Sequence, residues 1–180
     1  PWNFPIWQVF RFLAPSLMAG NVALLKHATN VPQCADLIAE MIRLAGIPDG
    51  VFDVLHINNT DAAQIITDPR VHAITLTGSE RAGKSVASNA GNNLKKCVME
   101  LGGSDPFVVL DDADLAKAIP IAIASRFGNG GQTCIAAKRF ILTPGIAAEF
   151  VSRFVEAASK LEVGDPNLDE TNLAPMVRPD

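Results

Sequence analysis

Residues 128–137 read GNGGQTCIAA, and Cys134 sits within that polar, glycine-rich stretch. Glycine lets main chain approach a small substrate closely. A thiolate at such a point can add to a carbonyl carbon and form a covalent intermediate. Cys34 and Cys97 fall in helix-like and strand-like patterns and read as buried, inert thiols. No cysteine stands at metal-ligand spacing, so no metal site is expected. Thiol chemistry also needs a base. Glu100 ends an apolar run and precedes Leu101-Gly102-Gly103. A carboxylate beside chain without side chains can reach a pocket, lose part of its water and shift towards the range of a general base. His56 and His72 lie in strand-like runs and read as structural, whereas His27, next to Lys26, stays open as an alternative base.

A second cluster spans residues 71–85, VHAITLTGSERAGKS. Apolar strand, glycine and helix follow one another. That order aims backbone N–H groups and the positive end of a helix dipole at an anion such as phosphate. Residues 78–85, GSERAGKS, match the P-loop pattern letter for letter, and Phe107–Asp112 imitates a strand ending in a magnesium-binding aspartate. A P-loop nucleotide hydrolase is therefore a rival reading. Glu80 weakens it, because a carboxylate inside a triphosphate cradle is repelled.

The elements that must position these residues alternate. Asn21–Lys26 reads as a strand, and Asn30 as the N-cap of a helix running through Cys34, Ile38, Met41 and Ala45 to Gly46 and Pro48. Val51–Ile57 is strand-like, Asp61–Thr67 a short helix, Val71–Thr77 a strand, and Glu80–Ala90 a helix. Leu94–Met99 and Phe107–Leu110 follow as strands. Asp111–Asp114 offers N-caps for a helix towards Phe127, Arg139–Leu142 reads as a strand, and Ile146–Leu161 as an amphipathic helix. Such alternation predicts an α/β protein with a mainly parallel sheet. The one plausible boundary is Gly102-Gly103.

Composition narrows the function classes. The 180 residues are 48% hydrophobic and 19% charged, which excludes disorder. Fifteen basic against nineteen acidic residues give a net charge of −4, which argues against a nucleic-acid partner. The greasiest stretch, Val9–Leu25, is broken by Arg11, Pro15 and Asn21, so no membrane span is expected. No secretory signal is visible, and a cytoplasmic setting is expected. A first residue other than methionine and a mean hydropathy of +0.21 lead to the expectation of a central fragment of a longer protein.

Taken together, Pro1-Trp2-Asn3-Phe4-Pro5, Lys26 after a strand, Thr77-Gly78-Ser79, Glu100-Leu101-Gly102-Gly103 and Gly131-Gln132-Thr133-Cys134 resemble the aldehyde dehydrogenase superfamily in order and rough spacing. Several motifs in one order outweigh a single P-loop pattern. Leu25-Lys26-His27-Ala28, residues 94–100 and residues 103–107 look most like bacterial succinate-semialdehyde dehydrogenases that accept NAD or NADP. The resemblance implies that residues 1–101 are the C-terminal part of a Rossmann-like NAD(P)-binding domain. Residues 102–180 would be the N-terminal part of the α/β catalytic domain. It also implies a small aldehyde substrate and a homodimer or homotetramer.

Roles follow position by position. Cys134 matches the nucleophile, Glu100 the base that activates the hydrolytic water, and Asn3 the amide that holds the oxyanion with the Cys134 N–H. Trp2, Lys26, Gly78, Ser79 and Leu101 match cofactor contacts, with Gly78 and Ser79 at the pyrophosphate. NAD-selective relatives often carry a glutamate three positions after the lysine. Here Thr29 stands there, so NADP is expected to be tolerated. Many relatives carry a glycine pair where this chain reads Ile57-Asn58-Asn59. Arg11 stands where semialdehyde-specific relatives place an arginine for the substrate carboxylate. A second such arginine is replaced by Gly128.

Overall fold

The computed structural model describes residues 1–178. The chain divides between Leu101 and Gly102 into two compact units.

The first unit begins with a helix that the sequence patterning does not reveal, α1 (Trp7–Met18). Gln8 and Arg11 share its polar face, but Pro15 lies inside it and argues against a helix on sequence alone. Val9 and Leu13, four residues apart, form its buried stripe. β1 (Ala23–Leu25), α2 (Pro32–Leu44) and β2 (Phe52–Val54) follow, and β1 and β2 pair in parallel, Ala23 opposite Phe52. α2 is capped at Val31 rather than Asn30, without a side-chain cap. Proline prefers the first helical position, and Pro32 takes it, so the cap falls on the residue before. Leu13, Ala23, Ile38 and Phe52 form the core between these elements.

The same unit continues with α3 (Asn59–Thr67), β3 (Ala73–Thr77), α4 (Glu80–Asn92) and β4 (Lys96–Glu100). β3 and β4 are parallel, from Ala73 opposite Lys96 to Thr77 opposite Glu100. Cys97, expected to be buried, is exposed on β4.

In the second unit, β5 (Asp105–Val109) crosses through α5 (Leu115–Phe127) to β6 (Ala137–Leu142), again in parallel, and α6 (Pro144–Ala158) follows. Asp114 is the cap of α5, accepting a hydrogen bond from the Ala116 N–H at 3.0 Å. Val109, Ile119, Ala122, Ile146 and Phe150 make the core, flanked by Phe107, Phe140 and Phe154. Phe140 and Phe154 approach to 4.9 Å between ring centroids. The strands thus form three two-stranded parallel ladders among the described residues.

Candidate functional site

The Gly78 turn is short. β3 ends at Thr77 and α4 starts at Glu80, leaving only Gly78 and Ser79 between them. Ser79 is the N-cap, its hydroxyl accepting from the Ala82 N–H at 3.3 Å. The Gly78 N–H donates to the Glu100 carbonyl at 3.0 Å, so the turn and the end of β4 are tied together. A P-loop needs several loop residues before the helix. Here Gly83 and Lys84 already belong to α4, and Lys84 faces Glu80 at 3.9 Å on the exposed side. Gly83 serves packing. A Cβ there would stand 2.6 Å from a Leu101 methyl, so only glycine admits Leu101 this close.

Glu100 departs from the desolvated carboxylate that the sequence suggests. Its side chain is 45% exposed, and it pairs with the guanidinium of Arg11, which is 46% exposed on α1. The sequence treats these residues separately, 89 positions apart. His27, the alternative base, is occupied. Its Nε2 lies 2.8 Å from the Pro5 carbonyl, and its Nδ1 accepts from the Ala28 N–H at 2.6 Å. That pattern requires the proton on Nε2. Burial pushes the ring below the usual imidazole range, against the pull of the Pro5 hydrogen bond and helped by Lys26. A neutral, bonded His27 fastens the start of α1, just after Asn3, to the end of β1. His56 lies beyond β2 rather than in a strand, 2.6 Å from Asp36, and His72 precedes β3.

A cleft of about 310 Å³ opens past the ends of β1 and β2, lined by His27, Thr29, Pro32, His56 and Asn58 among others. The carboxyl ends of parallel strands are where α/β sheets receive nucleotides. Lys26 stands beside it and donates to Asn59 Oδ1 at 3.2 Å. Trp2 and Asn3 are half-buried ahead of α1. Thr29 lining the cleft, Lys26 next to His27, and the separate Gly78-Ser79 turn are groups of the chemical types a dinucleotide uses. A hydroxyl in place of a carboxylate faces the cleft, a cation borders it, and a capped helix N-terminus is available for phosphate.

Cys134 belongs to the second unit, after a tight, kinked turn at Gly128–Gly131. Asn129, Gly130 and Gly131 all have positive φ. At Gly131 (φ 73°) a Cβ would also stand 2.8 Å from the Arg126 carbonyl, so glycine is required twice over. Gln132 closes the turn, donating to the Asn129 carbonyl at 3.0 Å. Lys138, which sequence reasoning passes over, holds the carbonyls of Thr133 and Cys134. Its only trace in the sequence is a lysine four residues after the cysteine. Among the described residues no His, Cys, Asp and Glu cluster could hold a metal ion, and no helix is long and apolar enough to cross a membrane.

Residues 1–180 match the aldehyde dehydrogenase family throughout. The chain belongs to the aldehyde dehydrogenase family. It is 57% identical, over 180 residues, to a probable NADP+ succinate-semialdehyde dehydrogenase of Synechocystis sp., covering 100% of this chain and 40% of the relative. It is 55% identical to the NAD(P)+ succinate semialdehyde dehydrogenase Sad of Escherichia coli, covering 99% and 38%. The succinic semialdehyde dehydrogenase of Streptococcus pyogenes, solved with NADP+, superposes with a TM-score of 0.93 at 41% identity, covering 96% of this chain and 38% of that one. The lactaldehyde dehydrogenase of Escherichia coli superposes with a TM-score of 0.93 at 33% identity, covering 99% and 38%. This chain spans about 40% of the length of the curated relatives it matches. The α/β fold is that of aldehyde dehydrogenases, and nothing supports the P-loop alternative.

Proposed function

We propose that the protein carrying this chain is an NAD(P)+-dependent aldehyde dehydrogenase that oxidises succinate semialdehyde. The observation that carries the reading is the end of the β3–β4 ladder. There the Gly78-Ser79 turn, suited to a pyrophosphate, is hydrogen-bonded to Glu100, and Glu100 is paired with Arg11. A phosphate turn, a carboxylate base and a cation for an acidic substrate share one corner of one unit.

In this reading the Cys134 thiolate adds to the aldehyde carbon, and the carbonyl electron pair moves to oxygen. Asn3 and the Cys134 N–H hold that oxyanion, which such donors stabilise by on the order of 3 kcal/mol in the transition state. NAD(P)+, when bound, would supply the hydride acceptor through which the thiohemiacetal on Cys134 becomes a thioester. Glu100 takes a proton from water as the water attacks the thioester carbon. Collapse expels the Cys134 thiolate and releases the acid. Trp2, Lys26, Thr29, Gly78, Ser79 and Leu101 hold the cofactor, and Arg11 holds the distal carboxylate of the substrate.

The division at Leu101 supports assigning residues 1–101 to the cofactor domain and 102–180 to the catalytic domain. We place the protein in the cytoplasm, a reducing setting that suits its free cysteines, as a homodimer or homotetramer without nucleic-acid or membrane partners. Fractionation and sedimentation of the complete protein check both statements. A membrane-bound or monomeric protein refutes them.

Steady-state kinetics of the complete protein with an aldehyde panel and both cofactors test the activity. Succinate semialdehyde is expected to be oxidised with either cofactor, and Cys134→Ser to abolish turnover. Failure of every aldehyde to reduce NAD(P)+ overturns the activity. A preference for NAD beyond about a thousandfold, roughly 4 kcal/mol, overturns the role of Thr29. Arg11→Ala should raise KM for succinate semialdehyde far more than for an uncharged aldehyde of similar length, and equal effects refute its assignment.

A further inference from the structure

Lys138, the second residue of β6, spends its ammonium on main chain. It donates to the carbonyls of Gly103 at 2.6 Å, Thr133 at 3.1 Å and Cys134 at 3.1 Å. An ammonium has three donors, and here all three have acceptors. The Ala136 N–H reinforces the turn by donating to the same Thr133 carbonyl at 3.4 Å. A Cβ on Gly103 would stand 3.3 Å from the Cys134 carbonyl, so the segment leading into β5, a strand only from Asp105, lies hard against the cysteine loop. Arg139, next along β6, secures that segment through the Ser104 carbonyl at 2.9 Å.

We infer that Lys138 is a positioning residue that aims the Cys134 N–H at the reacting carbonyl oxygen. The inference rests on the aldehyde dehydrogenase reading above. The described chain has no cis peptide bond. In a trans peptide the C=O and the N–H point in opposite directions. Drawing the Thr133 carbonyl to Lys138 therefore turns the Cys134 N–H away from the ammonium. Holding the Cys134 carbonyl fixes the next peptide plane in the same way. The cation is thus a clamp behind the loop, and the donor is presented on the other side. As the Cys134 sulfur bonds to the aldehyde carbon, the C=O π pair passes to oxygen, and the oriented N–H meets that charge without reorganising.

The test uses the complete protein as wild type, Lys138→Met, Lys138→Gln and Lys138→Arg. Two rates are read: NAD(P)H formation in a single turnover with saturating aldehyde, and alkylation of Cys134 by iodoacetamide. Alkylation displaces iodide from a tetrahedral carbon, so it needs a reactive thiolate but no oxyanion donor. Lys138→Met is expected to slow NAD(P)H formation about tenfold or more while alkylation stays within about twofold, and Lys138→Arg to regain most of the loss. Where thermal melting shows that Lys138→Met does not fold, the same two rates are read on Lys138→Gln. Unchanged NAD(P)H formation overturns the inference. So does a parallel fall of both rates without rescue by arginine, which marks a general loss of loop structure. Wild-type protein that reduces no NAD(P)+ with any aldehyde sinks the activity and this inference together. An active wild type with an unaffected variant sinks the inference alone.

Discussion

At the level of single side chains, His27 uses both ring nitrogens on main chain. Burial holds it below the ordinary imidazole range, so the folded chain keeps it neutral. In the unfolded chain it takes a proton near about pH 6.5. Between that value and the lower folded one, the unfolded state binds more protons, and stability rises with pH. The penalty is absent above about pH 6.5, grows as the pH falls towards the folded value and then levels. Thermal melts from pH 8 to pH 5 should show wild type losing more stability than His27→Gln. Glutamine can both donate to Pro5 and accept from Ala28 but does not titrate. Parallel curves for the two proteins would remove His27 as the cause. The sequence offered Cys134 and Glu100 as candidates through glycine around the sulfur and a strand end beside the carboxylate, but not that Glu100 is half-exposed and paired with Arg11. Lys138 leaves only its spacing from the cysteine, since the three carbonyls it binds are gathered only in the folded loop.

Helices and strands set a different kind of constraint. Ser79 and Asp114 both cap helices, and each is worth about 1 kcal/mol to its helix. Ser79→Ala and Asp114→Ala should therefore lower the melting temperature of the complete protein similarly. Only Ser79→Ala should raise the cofactor KM, because only α4 points its first turn at the proposed pyrophosphate site. Equal KM values for the two variants would detach Ser79 from the cofactor. Gly83→Ala should cost about 1 to 3 kcal/mol by forcing Leu101 aside. Most of that cost should vanish when Leu101 is also alanine, since the pair couples through one contact. Additive losses in denaturant melts would show that the strain lies elsewhere. The order of β1 to β6 was readable from short strand-like runs, of which only the one at β3 is rich in β-branched residues, separated by helix-like stretches. α1 was not, because its internal Pro15 argues against a helix on sequence alone. The shift of the α2 cap from Asn30 to Val31 shows proline overruling a better capping side chain.

Over the whole molecule, the chain leaves large apolar side chains in water, Met18 at 88% and Leu94 at 97% exposure among them. Hydropathy alone anticipated such surface, though not which residues carry it. The pairing of Arg11 with Glu100 was not anticipated, because nothing in sequence separation joins a helix near the start to the end of β4. Under the function proposed above, that pairing would act as a discriminating brake. A guanidinium engaged by one carboxylate would be drawn from it by the acidic tail of an arriving substrate. Semialdehydes would then release the base they need, whereas neutral aldehydes would leave it tethered. Arg11→Gln should accordingly quicken thioester hydrolysis for a neutral aldehyde in the complete protein while impairing capture of succinate semialdehyde. If hydrolysis slows for both, the tether is no brake. Selectivity would then be exercised twice by one side chain, first in admitting the molecule and again in permitting it to leave as product.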